Sequence, residues 1–234
     1  MSHGIRVQRA SDQSLLVMFD QSPSPRFRPQ VARFARTLIE KRPQPLLDAI
    51  PAYATVLLIF DPRTTRFREV EELVERTLEE IDGAPELAPR EIIIPVSYGD
   101  RYGPDLEDVG RINGLAPEEV IRIHSRGSYR VCFLGFSPGF PYLDGLDPAI
   151  ATPRLSTPRT HVPAGSVAIG GTQTGIYPLD SPGGWRIIGR TAVRLFDSSR
   201  GPATLLDIGD VVRFRAVNQV EHARGSNGLE QSAG

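Results

Sequence analysis

Short apolar runs and helical patterns alternate along the first third of the chain. Two strand-sized runs, LLVMFD (15–20) and LLIFD (57–61), are each followed by RFR and then by a helical pattern. The second pattern has apolar residues every three or four positions, as an amphipathic helix requires: Phe67, Val70, Leu73, Val74, Leu78 and Ile81. The first has similar spacing at Val31, Phe34, Leu38 and Ile39. We interpret the two segments as an internal repeat, although an arginine-rich chain can also produce such similarity by chance.

This repeat predicts a small N-terminal domain over residues 1–88. Three further strand-like segments accompany the two helical patterns: RVQRA before them, LLDAI between them and REIIIPVSY after them. Strands arranged around two helices in this way predict a ferredoxin-like α+β layer. We expect the domain to end near IDGAPELAP (81–89), where Gly and Pro interrupt the pattern.

The region 89–217 has a different pattern. Two short helices are predicted at 105–110 and 117–124, and a stretch dense in Gly and Pro follows from 135 to 184. That stretch has few charges and spaces its apolar residues at strand-like intervals, which disordered segments do not. It therefore predicts an all-β barrel or sandwich, closed by WRIIGRTAVRLF and DVVRFRAV. Residues 218–234 are polar and predict a flexible tail.

Charge and composition exclude several classes of function. The net charge of -1 argues against nucleic acid as a partner. Since no apolar run reaches membrane-spanning length and the N-terminus lacks a signal-peptide pattern, we expect no membrane association and a cytoplasmic location. Cys132 is the only cysteine, so we expect no internal disulfide and no cysteine zinc site. No metal-binding residue is assigned.

Lysine content narrows the chemistry further, because Lys41 is the only lysine in the chain. A P-loop needs G-x-x-x-x-G-K-[ST], and the sequence does not contain it. A Schiff-base lysine or a biotin-carrying lysine is not expected either. Any nucleotide or carboxybiotin chemistry would need binding groups from another chain, or a binding site of a different architecture from the P-loop.

GFSPG (135–139) matches the G-x-S-x-G pattern of a serine hydrolase, but its surroundings argue against a nucleophile at Ser137. A nucleophile elbow is a strand, a sharp turn and a helix, with an oxyanion-binding N–H after the serine. Pro138 has no N–H, and FPYLDGLDP has turn spacing instead of a helical period. Asp144 or Asp147 and then His161 follow in hydrolase order, which alone is weak evidence. We expect a turn here.

Polar side chains in the turn-rich region form the predicted binding site. Prolines restrain the backbone around them, and arginines on stiff loops suit a carboxylate or phosphate. The predicted ligand-binding residues, expected on one concave face of the barrel, are Arg154, Arg159, His161, Gln173, Tyr177 and Arg190. The predicted rim of the cleft consists of Phe136, Ser137, Phe140, Tyr142 and Trp185. No catalytic residue is assigned, and surface ion pairs or core packing remain alternatives for the arginines and the rings.

Three long motifs resemble those of the KipI/PxpB family, also called allophanate hydrolase subunit 1 or carboxyltransferase subdomains C and D. They are PVSYGDRYGPDLEDVGRINGLAPEEVIRIHS, GFSPGFPYLDGLDP and TPRLSTPRTHVPAGSVAIGGTQTGIYPLDSPGGWRIIGRT. The resemblance covers nearly the whole chain and is densest from Pro95 to Val217. It implies a small N-terminal α+β domain and a cyclophilin-like β-barrel, with GFSPGFPY as the turn into the barrel cleft. His161 departs from the family pattern, in which Arg or Lys is more usual.

The resemblance implies three alternative activities. The favoured one is that of the PxpB-like subunit of a bacterial ATP-dependent 5-oxoprolinase, which cleaves 5-oxo-L-proline to L-glutamate with a KipA/PxpC-like sister subunit and a PxpA-like hydrolase subunit. It implies a small carboxylate or amide substrate, ATP and Mg shared with a partner subunit, and no biotin attached to this chain. The alternatives are inhibition of a sporulation-type sensor histidine kinase, and half of a carboxyltransferase acting on urea or allophanate-type substrates.

Overall fold

A computed structural model describes residues 5–19, 29–44, 46–82 and 88–218. The chain forms two compact units, Met1–Pro89 and Arg90–Gly234. Of the predicted tail 218–234, only Asn218 falls within the described ranges. Across these ranges, every helix is too short or too polar to cross a membrane.

The N-terminal unit is an antiparallel four-stranded sheet with two helices. Its strands are β1 (Arg6–Ser11), β2 (Ser14–Met18), β3 (Leu46–Pro51) and β4 (Thr55–Phe60), in the spatial order β1-β2-β4-β3. Helix α1 (Pro29–Lys41) follows β2, and α2 (Phe67–Asp82) follows β4. Alternate strand residues and one stripe of each helix are buried, including Leu15, Val17, Phe34, Leu38, Leu58, Phe60, Val70 and Val74.

The two helices and the repeat predicted from the sequence are both found, each copy as two strands and a helix. The two apolar runs form the central strands β2 and β4. The first RFR, residues 26–28, lies outside the described residues. The ferredoxin-like arrangement is not confirmed: the described elements follow one another as ββαββα, whereas that fold runs βαββαβ.

One predicted strand belongs to the other unit. REIIIPVSY, expected beside the N-terminal helices, forms β5 (Glu91–Tyr98) of the second unit. It pairs in parallel with β13 (Val211–Ala216), and its Ile94 and Val96 are buried in the core of that unit. The pairing joins distant parts of the chain, so local sequence patterns do not reveal it.

The second unit is a closed β-barrel, which confirms the barrel and excludes the sandwich. Its further elements are α3 (Leu106–Asn113), α4 (Pro117–Arg126), β6 (Tyr129–Leu134), β7 (Pro141–Asp144), a 3-10 turn (Pro148–Ile150), β8 (Arg159–Val162), β9 (Ser166–Gly170), β10 (Gln173–Ile176), β11 (Ser181–Gly183) and β12 (Arg186–Arg190). The barrel order is β10-β7-β6-β13-β5-β12-β9, and β9 pairs with β10 to close it. Strands β8 and β11 form a separate two-stranded ribbon.

Two sequence predictions for this unit differ in length from the structure. Helices α3 and α4 are found where they were predicted, and each extends two or three residues further. The strand predicted over WRIIGRTAVRLF is shorter, because β12 ends at Arg190. Beyond it, the Thr191 N–H donates to the Gly165 carbonyl, and the chain leaves the barrel ladder.

A chain of hydrogen bonds passes through His124 of α4 in the barrel core. Tyr98 Oη lies 2.8 Å from His124 Nδ1, and His124 Nε2 lies 2.9 Å from Thr174 Oγ1. Thr174 donates its only proton to the Ala168 carbonyl, so His124 Nε2–H donates to Thr174 and Nδ1 accepts from Tyr98. Complete burial lowers the pKa of His124 from 6.5 to about 3, which keeps the ring neutral at physiological pH.

Alternation along the barrel strands produces two apolar clusters. On β9, Val167 and Ile169 belong to the interior core, whereas Ala168 between them belongs to a second cluster. The second cluster therefore lies on the outer face of the barrel. Its members are Phe140, Val162, Ala168, Tyr177, Trp185 and Ile187, with Tyr142 packed against them.

Candidate functional site

The GFSPG segment is a tight turn that leads into strand β7. The Gly135 N–H donates to the Phe140 carbonyl, and the Phe140 N–H donates to the Ser137 carbonyl, both at 3.0 Å. A strand follows this turn, in place of the helix of a nucleophile elbow. Ser137 Oγ is buried and makes no hydrogen bond to any residue that the structure describes, so it has no base to activate it.

Phe136, at the crest of this turn, is both strained and exposed. Its φ of 69° is in the left-handed region, which costs an L-residue about 1–2 kcal/mol. Its side chain is nevertheless 62% exposed. The ring meets Phe140 and Tyr177 edge-on, at centroid distances of 5.5 and 6.3 Å. An exposed ring on a strained backbone, next to buried rings, marks this turn as a candidate binding element.

Phe140 is the centre of a group of rings that we call the aromatic face: Phe136, Phe140, Tyr142, Tyr177 and Trp185. From the Phe140 centroid, Tyr142 lies at 5.1 Å, Tyr177 at 5.2 Å and Trp185 at 5.6 Å. The contacts with Tyr177 and Trp185 are edge-to-face, and each such pair contributes about 0.5–1.5 kcal/mol beyond burial. The rings thus hold one another in fixed orientations.

Two glycines allow the rings to lie directly against the backbone. A Cβ atom at Gly170 would lie 2.4 Å from the Trp185 ring, and one at Gly183 would lie 2.3 Å from Tyr177 Oη. Any larger residue at either position would displace a ring. Part of the glycine content of this region is therefore explained by close packing.

Arg154 places an uncompensated charge on the aromatic face. Its guanidinium carbon lies 5.5 Å from the Trp185 ring centroid, and the residue is exposed. Within the described ranges, Arg154 makes no hydrogen bond or ion pair. Its charge partly opposes the rise that burial causes in the pKa values of Tyr142 and Tyr177. A guanidinium with its donors available suits a carboxylate or phosphate.

Arg159, in contrast, is engaged by Asp105. Its two terminal nitrogens donate to the two carboxylate oxygens of Asp105 at 2.9 and 2.7 Å. Asp105 is buried and also accepts the Ile187 N–H at 2.7 Å. Arg159 lies close enough to Tyr177 to oppose the rise in its pKa. Its ligand-binding role stays a prediction, and the structure shows that Asp105 already occupies its fork.

The other predicted ligand residues have separate environments. His161 Nε2 lies 3.9 Å from Asp180 Oδ2, and both side chains are exposed. Arg190 donates from Nε to the Ala164 carbonyl at 2.9 Å and lines a cavity that none of the five rings lines. Gln173 is buried on β10, opposite Gly170 on β9. The structure thus brings Arg154, Arg159 and Tyr177 together with the predicted rim, and it directs His161 and Arg190 to other partners.

Asp105 is the site residue that sequence reasoning missed. It lies directly before α3, where an acidic residue is common because it favours the helix N-terminus. Its partners Arg159 and Ile187 come 54 and 82 positions later in the chain. No local pattern could have indicated them.

Comparisons with known proteins agree on one family. The model of the carboxyltransferase domain, subdomain C and D, matches residues 5–206. A 5-oxoprolinase subunit of Bacillus subtilis (strain 168) is 40% identical over 228 residues, which are 93% of this chain and 95% of that protein. The corresponding 5-oxoprolinase subunit of Escherichia coli O157:H7 is 45% identical over 79% of this chain and 84% of that protein. The crystal structure of TTHA0988 is 38% identical with a TM-score of 0.77, covering 91% of this chain and 40% of that one.

Proposed function

Because the chain belongs to the family of carboxyltransferase domains, subdomain C and D, we propose that it is the PxpB-like subunit of a 5-oxoprolinase. In this proposal it acts with a sister subunit and a hydrolase subunit in the ATP-dependent conversion of 5-oxo-L-proline to L-glutamate. The observation that carries the proposal is the match to the 5-oxoprolinase subunit of Bacillus subtilis, because it extends over nearly the full length of both chains.

We assign the aromatic face as the surface that binds the substrate. 5-Oxoproline is a five-membered lactam with one carboxylate, so it offers an apolar ring edge and a single negative charge. The rings of Phe140 and Trp185 supply apolar surface, and Arg154 supplies a cation beside them that has no ion-pair partner among the described residues. A charge-assisted hydrogen bond of this kind contributes about 1.5–3 kcal/mol.

Asp105 and Arg159 support this surface. Their ion pair is bidentate and joins the start of α3 to the ribbon strand β8. Because the Asp105 carboxylate neutralises Arg159, Arg154 carries the net positive charge that a carboxylate substrate would meet. We therefore assign ligand binding to Arg154 and positioning to Asp105 and Arg159.

Opening a lactam by hydrolysis requires activation of its carbonyl. ATP supplies a phosphoryl group for that activation, and this chain's part is to bind and orient the lactam. Lys41 is the only lysine of the chain, and no P-loop sequence is present. We accordingly propose that ATP and Mg bind at a site shared with a partner subunit.

Reconstitution tests the proposal. This chain, its sister subunit and its hydrolase subunit are mixed, and glutamate formation from 5-oxoproline is followed with and without ATP. We expect turnover that requires ATP and is lost when this chain is left out. The matched control is the Bacillus subtilis three-subunit set, assembled in the same way. Turnover by the control set alone would refute the proposal.

A further inference from the structure

A cavity of about 550 Å³ lies where the chain leaves the barrel after β12. Its walls come from four segments, 164–165, 178–179, 190–194 and 196–198. This volume is typical of small-molecule sites, which measure about 300–1,000 Å³. We call it the β12 cavity; none of the five rings of the aromatic face lines it.

Arg190 is the charged group that distinguishes this cavity. Its Nε–H donates to the Ala164 carbonyl at 2.9 Å, which fixes the plane of the guanidinium. Among the described residues, its two terminal nitrogens have no hydrogen-bond or ion-pair partner. A guanidinium held at Nε, with its terminal donors available, is preorganised for a planar or tetrahedral anion.

The second arginine of the cavity does not compete for the same role. Arg194 Nη1 lies 3.3 Å from Asp197 Oδ2, and the Arg194 side chain is 71% exposed. Asp197 also accepts the backbone N–H and the hydroxyl of Ser199. These donors and Arg194 lower the pKa of Asp197 and compensate its charge. Among the described residues that line the cavity, Arg190 therefore remains the charge without an ion-pair partner.

The wall around Arg190 is rigid backbone. The Gly165 N–H donates to the Tyr177 carbonyl at 2.7 Å, and the Thr191 N–H donates to the Gly165 carbonyl at 2.9 Å. Gly165 has a φ of +81°, and a Cβ there would lie 2.2 Å from the Thr191 carbonyl oxygen. Pro178, Leu179 and Phe196 also line the cavity and offer apolar surface. The cavity thus combines one fixed cation with an apolar wall.

We propose that the β12 cavity binds a small organic anion, with a carboxylate or phosphate on Arg190 and a short apolar body against Leu179 and Phe196. The site is distinct from the aromatic face, and the inference does not depend on the 5-oxoprolinase assignment. It predicts binding to the isolated full-length chain, without partner subunits and without turnover.

Benzoate and phenyl phosphate test this inference, with neutral benzamide as the matched compound of similar shape. Titration calorimetry and ligand-observed NMR on the full chain should show binding of at least one anion, with a dissociation constant of about 1 mM or lower. Benzamide should bind at least about tenfold more weakly, because it lacks the charge. Preference for benzoate would identify a carboxylate site, and preference for phenyl phosphate a phosphate site.

Two variants place the binding in this cavity. Arg190→Gln should weaken the preferred anion at least about tenfold. Ala192→Phe fills the cavity without removing Arg190 and should weaken anion binding to a similar extent. It therefore keeps the test available if the Arg190→Gln variant does not fold. Arg215→Gln, an exposed arginine on β13, is the matched control and should leave binding unchanged. Thermal unfolding followed by Trp185 fluorescence shows whether each variant is folded.

Three results would overturn the inference. One is the failure of both anions to bind, and another is equal binding of benzamide and the anions. The third is unchanged affinity in folded Arg190→Gln and Ala192→Phe. The outcome for 5-oxoproline turnover does not bear on this test, because no partner subunit is present.

Discussion

The barrel core around His124 and the aromatic face outside it satisfy their polar groups differently. In the core, Tyr98, His124, Thr174 and the Ala168 carbonyl form a continuous chain in which donors and acceptors match. On the aromatic face, Arg154 has no polar partner among the described residues, and Phe136 is strained. Complete pairing stabilises a fold, whereas available donors and held strain are what a binding surface requires.

Asp105 joins the start of α3 to β8 and β12, and its removal should have the largest effect. Asp105→Ala leaves Arg159 and the buried Ile187 N–H without their carboxylate. We expect a loss of about 3 kcal/mol in the free energy of unfolding of the barrel unit. The low end of the usual range applies because the Arg159 side chain is 31% exposed. Urea unfolding followed by the fluorescence of Trp185, the only tryptophan, measures this loss.

Glu107→Ala is the matched control for Asp105→Ala. Glu107 is an exposed carboxylate in the first turn of α3, so its loss should cost about 0.5 kcal/mol or less. Equal destabilisation by the two substitutions would show that the Asp105–Arg159 pair does not stabilise the barrel unit. It would also contradict the positioning role that we assign to this pair.

Arg154→Ala should affect function and leave stability nearly unchanged. The side chain is exposed and has no ion pair with a described residue, so folding should lose little. In the reconstituted complex we expect kcat/KM for 5-oxoproline to fall about thirtyfold, equivalent to about 2 kcal/mol. Arg215→Ala should leave kcat/KM unchanged. If Arg154→Ala retains the wild-type kcat/KM, the substrate does not bind at the aromatic face.

Sequence patterns predicted the parts of the fold that depend on local periodicity. The apolar stripe from Phe67 to Ile81 predicted α2. Strand-like spacing in a region rich in Gly and Pro predicted a barrel or a sandwich, and the structure shows the barrel. Patterns failed where partners are distant in sequence. REIIIPVSY pairs with β13, which comes more than 100 residues later in the sequence. Arg159 pairs with Asp105, which comes 54 residues earlier.

The candidate site was predicted only in part, because some of its residues have partners that are distant in sequence. Residue chemistry indicated that Arg154 and the rings belong together, and the structure places them so. The grouping of Arg190 with them depended on where β12 ends, which periodicity does not determine. His124 was detectable in principle, because it lies four residues after buried Val120 on the same side of α4.

The pH dependence of stability tests the core side of the comparison. Because the pKa of His124 is about 3 in the folded chain, the unfolded chain binds more protons between that value and 6.5. Stability is therefore complete above pH 6.5 and falls as the pH decreases below it. We expect a loss of about 1 kcal/mol between pH 6.5 and 5.5, measured by urea unfolding at each pH. His124→Gln should remove this slope, whereas exposed His161→Gln should retain it; a flat profile in the wild type would mean that His124 is not buried as described.

The smallest effect should come from the strain at Phe136, and two substitutions separate strain from contact. Phe136→Ala and Phe136→Gly both remove the ring from the aromatic face, so they should reduce 5-oxoproline turnover equally. Only glycine adopts a φ of 69° without cost, so Phe136→Gly should be more stable than Phe136→Ala. We expect a difference of about 0.5–1 kcal/mol, because the greater flexibility of glycine in the unfolded chain offsets part of the relieved strain. If Phe136→Ala is as stable as Phe136→Gly, the turn holds no strain, and the contrast with the relaxed core then depends on Arg154 alone.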